Sequence, residues 1–395
     1  MKRVLVVITA RPSYSRIYSA LVALRARSGV ELLIVAAASA VVHRFGRVVD
    51  QIRADGFTVA EEVPSLLEPD SLANSAASTG FLTERLAECF VRLRPDVVVT
   101  IADRHETLAT AIAASYQHIP LCHVQGGEVT GSIDDKVRNA VTQLADVHCV
   151  STKDAAERVL TARGEDMCYF RPATDLCGAG SGVYVTGCPS IDLAAEVWAE
   201  RYEGAEHFLP EVEPGTVVVL QHPVTDEAGA AAEQMRATVE AVQGLPALFF
   251  WPGEDAAASG MCKVLRDAGI RAVRNYPPRV FLRLLRYRAA VLVGNSSVGI
   301  RECSFLGVPV VNIGTRQQGR ERALNVVDVP YEAERIWAAT CEQMAHGPYR
   351  SSALYGQGDA GVKIAEVICG GMDRRTSVSS DDQSVGDDVG RPIGN

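Results

Sequence analysis

Nothing in this chain of 395 residues is long and apolar enough to lodge in a bilayer, because no run approaches the roughly 20 apolar residues a spanning helix needs. The N-terminus, Met-Lys-Arg followed by Val4-Leu-Val-Val-Ile8, has the charged start of a secretory signal. Its apolar run is too short for one, and Thr9-Ala-Arg-Pro interrupts it, so a first core strand is expected instead. Metal-ligand spacing is also missing. The ten cysteines include no Cys-x-x-Cys pair and the eight histidines no His-x-x-x-His pair, so a structural metal is not expected. Cys122, Cys149, Cys188 and Cys303 lie in or beside apolar or Gly-containing stretches, as buried free thiols do, which fits a reduced, cytoplasmic protein. Positive charge is in short supply. Lys and Arg number 39 against 48 Asp and Glu, and the net charge of −9 argues against a broad nucleic-acid surface while leaving room for a local basic pocket.

What the chain does have is a regular alternation of short apolar runs with helical patterns. Candidate strands are Arg3–Ile8, Glu31–Ala36, Asp96–Ile101, Ile119–Val124 and His148–Ser151, followed by Thr216–Leu220, Ala247–Trp251, Ala290–Val293 and Val308–Ile313. Between them lie helix-like segments such as Ser15–Arg27 and Asn74–Leu93, the second weakened in its middle by Gly80. Continuous apolar strands alternating with helices imply parallel sheets covered on both faces. The series breaks near Val185-Thr-Gly-Cys-Pro-Ser190, with Asp175–Gly182 as a glycine-containing hinge region. Two doubly wound domains are therefore expected, at residues 1–182 and 183–369. A disordered polar tail is expected over 370–395, where large apolar residues almost vanish.

In open α/β sheets ligands sit at the carboxyl ends of strands, so the residues just after each strand carry the chemistry. After the first strand comes Thr9-Ala-Arg11-Pro-Ser-Tyr-Ser15-Arg16. It is not glycine-rich, so it is neither a Walker loop nor a dinucleotide fingerprint, but Arg11 and Ser15 suit a phosphate. Asp103-Arg104-His-Glu106 follows the strand that ends at Ile101, and Asp103 is placed to orient or transfer a proton; a helix cap with solvated neighbours is the plainer alternative. The densest segment is His123-Val-Gln-Gly-Gly-Glu-Val-Thr-Gly-Ser-Ile-Asp134-Asp-Lys-Val-Arg138. It holds a His, an amide, three carboxylates and three glycines at a strand-to-helix turn. Ser132 and Asp135 fit a Ser-x-x-Asp helix start, and Asp134 and Arg138, four apart, share a helical face. In the second half, His222 follows a strand. Gly294-Asn-Ser296-Ser297-Val-Gly299-Ile-Arg-Glu302 joins a strand to a helix through small residues that let backbone N–H groups approach a phosphate, with Glu302 placed to accept from ribose hydroxyls. Gly314-Thr-Arg316-Gln-Gln-Gly-Arg320 follows the Val308–Ile313 strand. Polar loops ending strands in both halves suggest a ligand held in a cleft between the domains.

Together these motifs resemble the hydrolysing UDP-N-acetylglucosamine 2-epimerases. The residues that carry the resemblance are Asp103-Arg104, Gly126-Gly-Glu-Val-Thr-Gly-Ser-Ile-Asp-Asp135, Thr186-Gly-Cys-Pro-Ser190, Gln221-His-Pro-Val-Thr225, Gly294-Asn-Ser-Ser297, Arg301-Glu302 and Gly314-Thr-Arg-Gln317, and it runs over roughly residues 2 to 366. The resemblance implies a GT-B fold, with two Rossmann-like domains and the nucleotide sugar in their cleft. It implies no nicotinamide and no essential metal, and a homo-oligomer. It implies that Arg11, Ser15, Arg104, His222, Ser296, Ser297, Glu302 and Arg316 hold the nucleotide diphosphate, and that Asp103 and Asp134 are catalytic carboxylates with Arg138 nearby. The implied reaction removes the C2 proton as the diphosphate leaves C1, then adds water to the resulting glycal with C2 inverted. Two departures stand out. Gln125 occupies a place where many relatives carry a third catalytic Glu, and Gln is no general base; Glu128, three residues on, is the candidate to take over. Gly253 and Glu254 depart from the usual Pro-Asn, which leaves the choice between UDP and GDP, and the substituent at sugar position 4, open. Competing functions are a GT-B glycosyltransferase, a non-hydrolysing epimerase and a nucleotide-sugar-binding protein that has lost catalysis.

Overall fold

A computed structural model of the chain describes residues 1–68, 72–130, 133–165, 171–172, 182–202, 211–253 and 257–371. The expected hinge at 175–181, the Ser132 cap, Glu254 and the expected tail from 372 onward lie outside these residues.

The first sheet contains β1 (Lys2–Ile8), β2 (Val30–Ala37), β3 (Val59–Val63), β4 (Val97–Ile101), β5 (Leu121–Val124), β6 (Val147–Val150), β7 (Arg171–Pro172) and β8 (Val183–Val185). They run in the order β3-β2-β1-β4-β5-β6-β8-β7, every pair parallel. The second sheet contains β9 (Thr216–Leu220), β10 (Ala247–Phe249), β11 (Ala289–Gly294), β12 (Val310–Ile313) and β13 (Val326–Val329), in the order β10-β9-β11-β12-β13 and again all parallel. The central strands are mostly apolar because helices cover both faces, with Thr100, His123, His148 and Asn312 as buried polar exceptions. On β1, Val4, Val6 and Ile8 pack to one side, while Leu5 and Val7 pack to the other. Strand order reverses between β1 and β4 in the first sheet and between β9 and β11 in the second. Each reversal opens a crevice at the carboxyl ends of its strands, and the two crevices face each other. This is the GT-B arrangement of two Rossmann-like domains.

The domain limits differ from the expected ones in two places. β8 lies beyond the expected boundary at 182/183, yet it pairs with β6 and completes the first sheet. The helix Ala360–Glu366 also returns to the first domain. Ile364, Ala365, Val367 and Ile368 are buried in the same core as β1 and the helix Tyr18–Arg25. Asp192, on the helix Pro189–Ala199, accepts from the Ala360 and Gly361 N–H groups at 2.9 and 2.7 Å and so caps the returning helix.

One expected helix is broken. Ser15–Arg27 divides into Arg11–Ser15, started by Pro12, and Tyr18–Arg25. Arg16 closes the first piece, donating its N–H to the Pro12 carbonyl at 3.1 Å. The break leaves the Arg16 side chain at the mouth of the crevice.

Candidate active site

The first crevice is built on two non-glycine residues in the left-handed region. Ala102, just past β4, has φ +66°, and Gln125, just past β5, has φ +68°. Each such residue costs about 1–3 kcal/mol unless its surroundings hold it, and backbone bonds do hold these two: Ala102 N–H to Val124 O and Gln125 N–H to Cys149 O, both 2.9 Å. The turn at Ala102 presents Asp103 to the crevice. The turn at Gln125 begins the loop that carries Glu128.

Arg138 ties the two together. It is fully buried on the helix Ile133–Leu144 and donates to the carboxylates of Asp103 and Asp135 and to the Glu128 carbonyl. Asp135 also accepts from the Thr130 N–H and hydroxyl, each at 2.8 Å, and so fixes the end of the loop. Burial alone would raise the Asp103 carboxyl. The charges of Arg138, Arg16 and Arg320 outweigh it and hold Asp103 well below the usual carboxylate range.

Glu128 is 8% exposed and has both oxygens engaged. It accepts from Ser151 Oγ at 3.0 Å and from Arg301 at 3.2 Å, and forms an ion pair with Arg320 at 3.1 Å. Burial opposes its ionisation, but Arg320, Arg301, Arg138 and Arg16 bring its pKa down to about 2. Arg301 and Arg320 belong to the second domain, so this ion cluster bridges the cleft. Arg16 adds a second bridge, donating to Ser297 Oγ at 3.2 Å, and Thr152 adds a third through Glu321. The expectation that Glu128 stands in as a base meets a geometric obstacle: its oxygens are taken by Ser151, Arg301 and Arg320, and it lies outside the cavity lined by Asp103 and Asp134, a position that suits an interdomain counter-ion.

In the second crevice, Asn295 locks the loops after β9 and β11 to each other. Its side chain accepts from the His222 N–H at 2.7 Å and donates to the His222 carbonyl at 2.8 Å. His222 Nδ1 accepts from the Gly253 N–H at 2.8 Å, so that ring nitrogen is unprotonated. Ser296 caps the short helix Ser297–Ile300, and Ser297 Oγ also accepts from Arg301 at 2.8 Å. Arg316 and Gln317 donate to the Asn295 carbonyl at 3.3 and 2.8 Å. Glu302 Oε2 is buried with no hydrogen-bond partner among the described residues.

Two cavities lie between the domains. The smaller, about 380 Å³, is lined by Asp103, Arg104, Asp134 and Arg316 among the expected residues, and also by Arg16 and Arg320. The larger, about 920 Å³, shares Arg44 and Phe45 with it and is lined by Arg11, Ser15, Tyr14, Trp251 and Arg274. The expected set is thus divided. Asp103, Asp134, Arg104 and Arg316 meet in one cavity, whereas Arg11 and Ser15 face the other and Ser15 Oγ donates to its own Pro12 carbonyl at 3.0 Å. His222, Ser296, Ser297 and Glu302 line neither. Among the described residues no group of three or more His, Cys, Asp or Glu is placed to hold a metal ion.

Residues 22–369 match the family model described as UDP-N-acetylglucosamine 2-epimerase. The chain belongs to that family. Over 381 residues it is 26% identical to a Legionella pneumophila protein named UDP-N,N'-diacetylbacillosamine 2-epimerase (hydrolyzing), covering 93% of this chain and 96% of that one. Over 378 residues it is 24% identical to the UDP-N-acetylglucosamine 2-epimerase of Neisseria meningitidis serogroup B, covering 93% and 95%. The solved structure of the UDP-GlcNAc 2-epimerase from Neisseria meningitidis bound to UDP-GlcNAc is similar with a TM-score of 0.73 at 18% identity, covering 93% of this chain and 99% of that one. The Methanocaldococcus jannaschii UDP-GlcNAc 2-epimerase in complex with UDP-GlcNAc and UDP gives 0.75 at 14% identity, with 93% and 99% covered. At such identities these structures establish the shared fold.

Within this epimerase fold, Gln125 is a departure with a visible consequence. Its Nε2 donates to Cys188 Sγ at 2.9 Å, and its Oε1 is buried without a partner among the described residues. Arg16 and Arg320 join the site although their local sequence does not mark them. They stand at the ends of the loops that follow β1 and β12, next to Ser15 and four residues after Arg316. Nothing in the local sequence separates them from surface arginines, because the packing of one domain on the other is what buries them.

Proposed function

We propose that this family member is a hydrolysing nucleotide-sugar 2-epimerase, converting UDP-N-acetylglucosamine, or a GDP-linked or 4-acetamido relative, and water into the nucleoside diphosphate and the free 2-epimeric sugar. The observation that carries it is the small cavity between the domains, where two carboxylates, Asp103 and Asp134, stand with Arg104 and Arg316. Elimination needs that combination. A carboxylate accepts the C2 proton while the C1–O bond breaks and its electron pair leaves on the diphosphate, whose charge the arginines offset. The product of that step is a glycal with a C1=C2 double bond. Water then supplies hydroxide to C1 and a proton reaches C2 from the opposite face, so the second carboxylate completes the inversion. Arg138, buried against Asp103, positions that carboxylate and keeps it ionised. Arg11 and Ser15, on the adjoining larger cavity, suit the nucleotide end of the substrate. The hydrolysing assignment draws support from the Legionella relative's name and from a Campylobacter jejuni relative, 26% identical over 309 residues, named GDP/UDP-N,N'-diacetylbacillosamine 2-epimerase (hydrolyzing).

Incubation with UDP-N-acetylglucosamine and, in parallel, UDP-N,N'-diacetylbacillosamine and its GDP counterpart in D₂O tests it. Free epimerised sugar with deuterium at C2, together with released nucleoside diphosphate, is the expected result. Deuterated nucleotide sugar with nothing released points to the non-hydrolysing reaction, and no exchange with any of the three substrates overturns the proposal.

A further inference from the structure

His123 lies wholly inside the first sheet, with no exposed surface. It sits on β5 in register with Thr100 of β4. A polar ring at such a place costs stability unless it is hydrogen-bonded. Its bond goes to the turn that carries Asp103. Nε2 is 2.8 Å from the Ala102 carbonyl, and a carbonyl oxygen only accepts, so Nε2 is the donor. Ala102 is left-handed, at φ +66°, and its N–H is already held by the Val124 carbonyl at 2.9 Å. Both backbone polar groups of this strained residue are therefore bonded to β5, one by its backbone and one by a side chain. The carbonyl matters more here, because it lies in the same planar peptide unit as the Asp103 N–H. The other edge of the ring meets the second turn. A Cβ on Gly126 would stand 3.0 Å from His123 Nδ1 and 3.2 Å from Cε1, so the ring packs directly against the backbone of the loop that leads to Glu128. His123 lines neither cavity between the domains, so it does not meet the substrate.

We propose that His123 is a positioning residue: its Nε2–H holds the Ala102–Asp103 peptide so that the Asp103 carboxylate faces the cavity. This rests on the epimerase function proposed above, in which that carboxylate moves a proton. Two groups then fix Asp103, Arg138 at its carboxylate and His123 at its backbone. An aliphatic side chain would fill the same space but leave the buried Ala102 carbonyl without this donor. The left-handed turn would lose one of its two restraints and relax toward commoner backbone angles, carrying Asp103 out of line. Because the ring also supports Gly126, one side chain sets the separation between the Asp103 turn and the Gly126 loop.

The test compares His123→Leu, His123→Gln and His123→Asn with the unaltered protein. Calorimetry with UDP counts the sites that bind nucleotide, so that kcat is expressed per competent site. A Gln amide reaches as far as Nε2 and can replace its donation, whereas an Asn amide stops near Nδ1 and Leu donates nothing. In His123→Leu and His123→Asn, kcat per site should fall roughly 100-fold, the cost of about 1 Å of misplacement at a reacting group, with KM and UDP affinity little changed. His123→Gln should keep kcat within roughly tenfold, the cost of one imperfect hydrogen bond. Amide exchange over residues 100–106, read by mass spectrometry, should be faster in His123→Leu and His123→Asn than in His123→Gln. If His123→Leu does not fold, the Asn and Gln variants decide between them. Equal kcat in those two, or losses of kcat matched by losses of UDP affinity, would show that the ring only fills space, and overturn the proposal while leaving the epimerase function standing. If the unaltered protein turns over no nucleotide sugar, that function falls. The exchange comparison then decides whether His123 holds the Ala102 turn, and equal exchange in the Gln and Asn variants overturns it.

Discussion

Asp103 and Glu128 are both kept ionised by arginines, yet they differ in what remains open to them. Asp103 pairs with Arg138 and lines the cavity, whereas Glu128 is enclosed by two guanidiniums and a hydroxyl. The sequence showed three carboxylates in sixteen residues, but which of them face a ligand depends on arginines about 170–190 positions away. Asp134 could be placed from its spacing to Arg138 on one helix; the enclosure of Glu128 could not. His123 makes the same point with a pH signature. Its Nε2 lies 2.8 Å from the Ala102 carbonyl and must carry the proton, which leaves Nδ1 bare and buried. Burial, against the pull of that hydrogen bond, lowers its pKa from 6.5 to about 4, and His148 beside it is lowered as well. Below pH 6.5 the unfolded chain takes up protons at these rings that the folded chain refuses. The stabilising contribution is therefore complete above pH 6.5 and declines as pH falls toward 4, by on the order of 3 kcal/mol for His123 alone. Urea denaturation at pH 7, 6 and 5 should give a midpoint that drops at each step, and a midpoint that holds or rises would show that these rings are charged in the native state.

At the scale of elements, the strands buried on both faces were legible and those at the edges were not. β1, β2, β4, β9 and β11 stand out as largely apolar runs because both their faces are covered by helical layers. β3 was not anticipated. It is an edge strand whose Glu61 and Glu62 reach outward to Arg92, Arg47 and Arg53, and a strand with one open side need not be apolar. β13 is likewise an edge strand, with Asp328 paired to Arg322. The strand-to-helix turn after β11 was legible through its small residues, and its glycine has a specific reason. Gly294 has φ +140°, and a Cβ there would stand 2.1 Å from the Leu220 carbonyl oxygen on the neighbouring strand. Gly294→Ala should therefore cost at least about 2 kcal/mol from strain and clash together. Gly215 is a useful control: its φ is +87° with nothing within 4 Å of a Cβ, so Gly215→Ala should cost only roughly 1 kcal/mol. Equal unfolding midpoints for the two variants would mean that the Gly294 backbone can shift away from Leu220 without penalty.

For the whole molecule, alternation of strands and helices was enough to foresee two doubly wound domains, but not how they close. The bridges across the cleft are long-range side-chain contacts: Glu128 with Arg301 and Arg320, Arg16 with Ser297, and Thr152 with Glu321. Removing the Glu128 charge leaves two buried arginines uncompensated, a loss of about 3–5 kcal/mol for pairs of this kind. Glu128→Gln should open the cleft, so that small-angle scattering without ligand gives a larger radius of gyration than the unaltered chain at the same oligomeric state. An unchanged radius would place the closure on the remaining bridges. The position of the helix Ala360–Glu366 has a consequence of another kind. It fills the core of the first domain, yet it follows the last residue of β8, Val185, by 175 residues, with the entire second sheet between. On a translating ribosome the first domain must wait, its groove beside the helix Tyr18–Arg25 uncovered, until the second has been made. The order of synthesis and the order of completion are therefore reversed: the domain that emerges first is the one that finishes last.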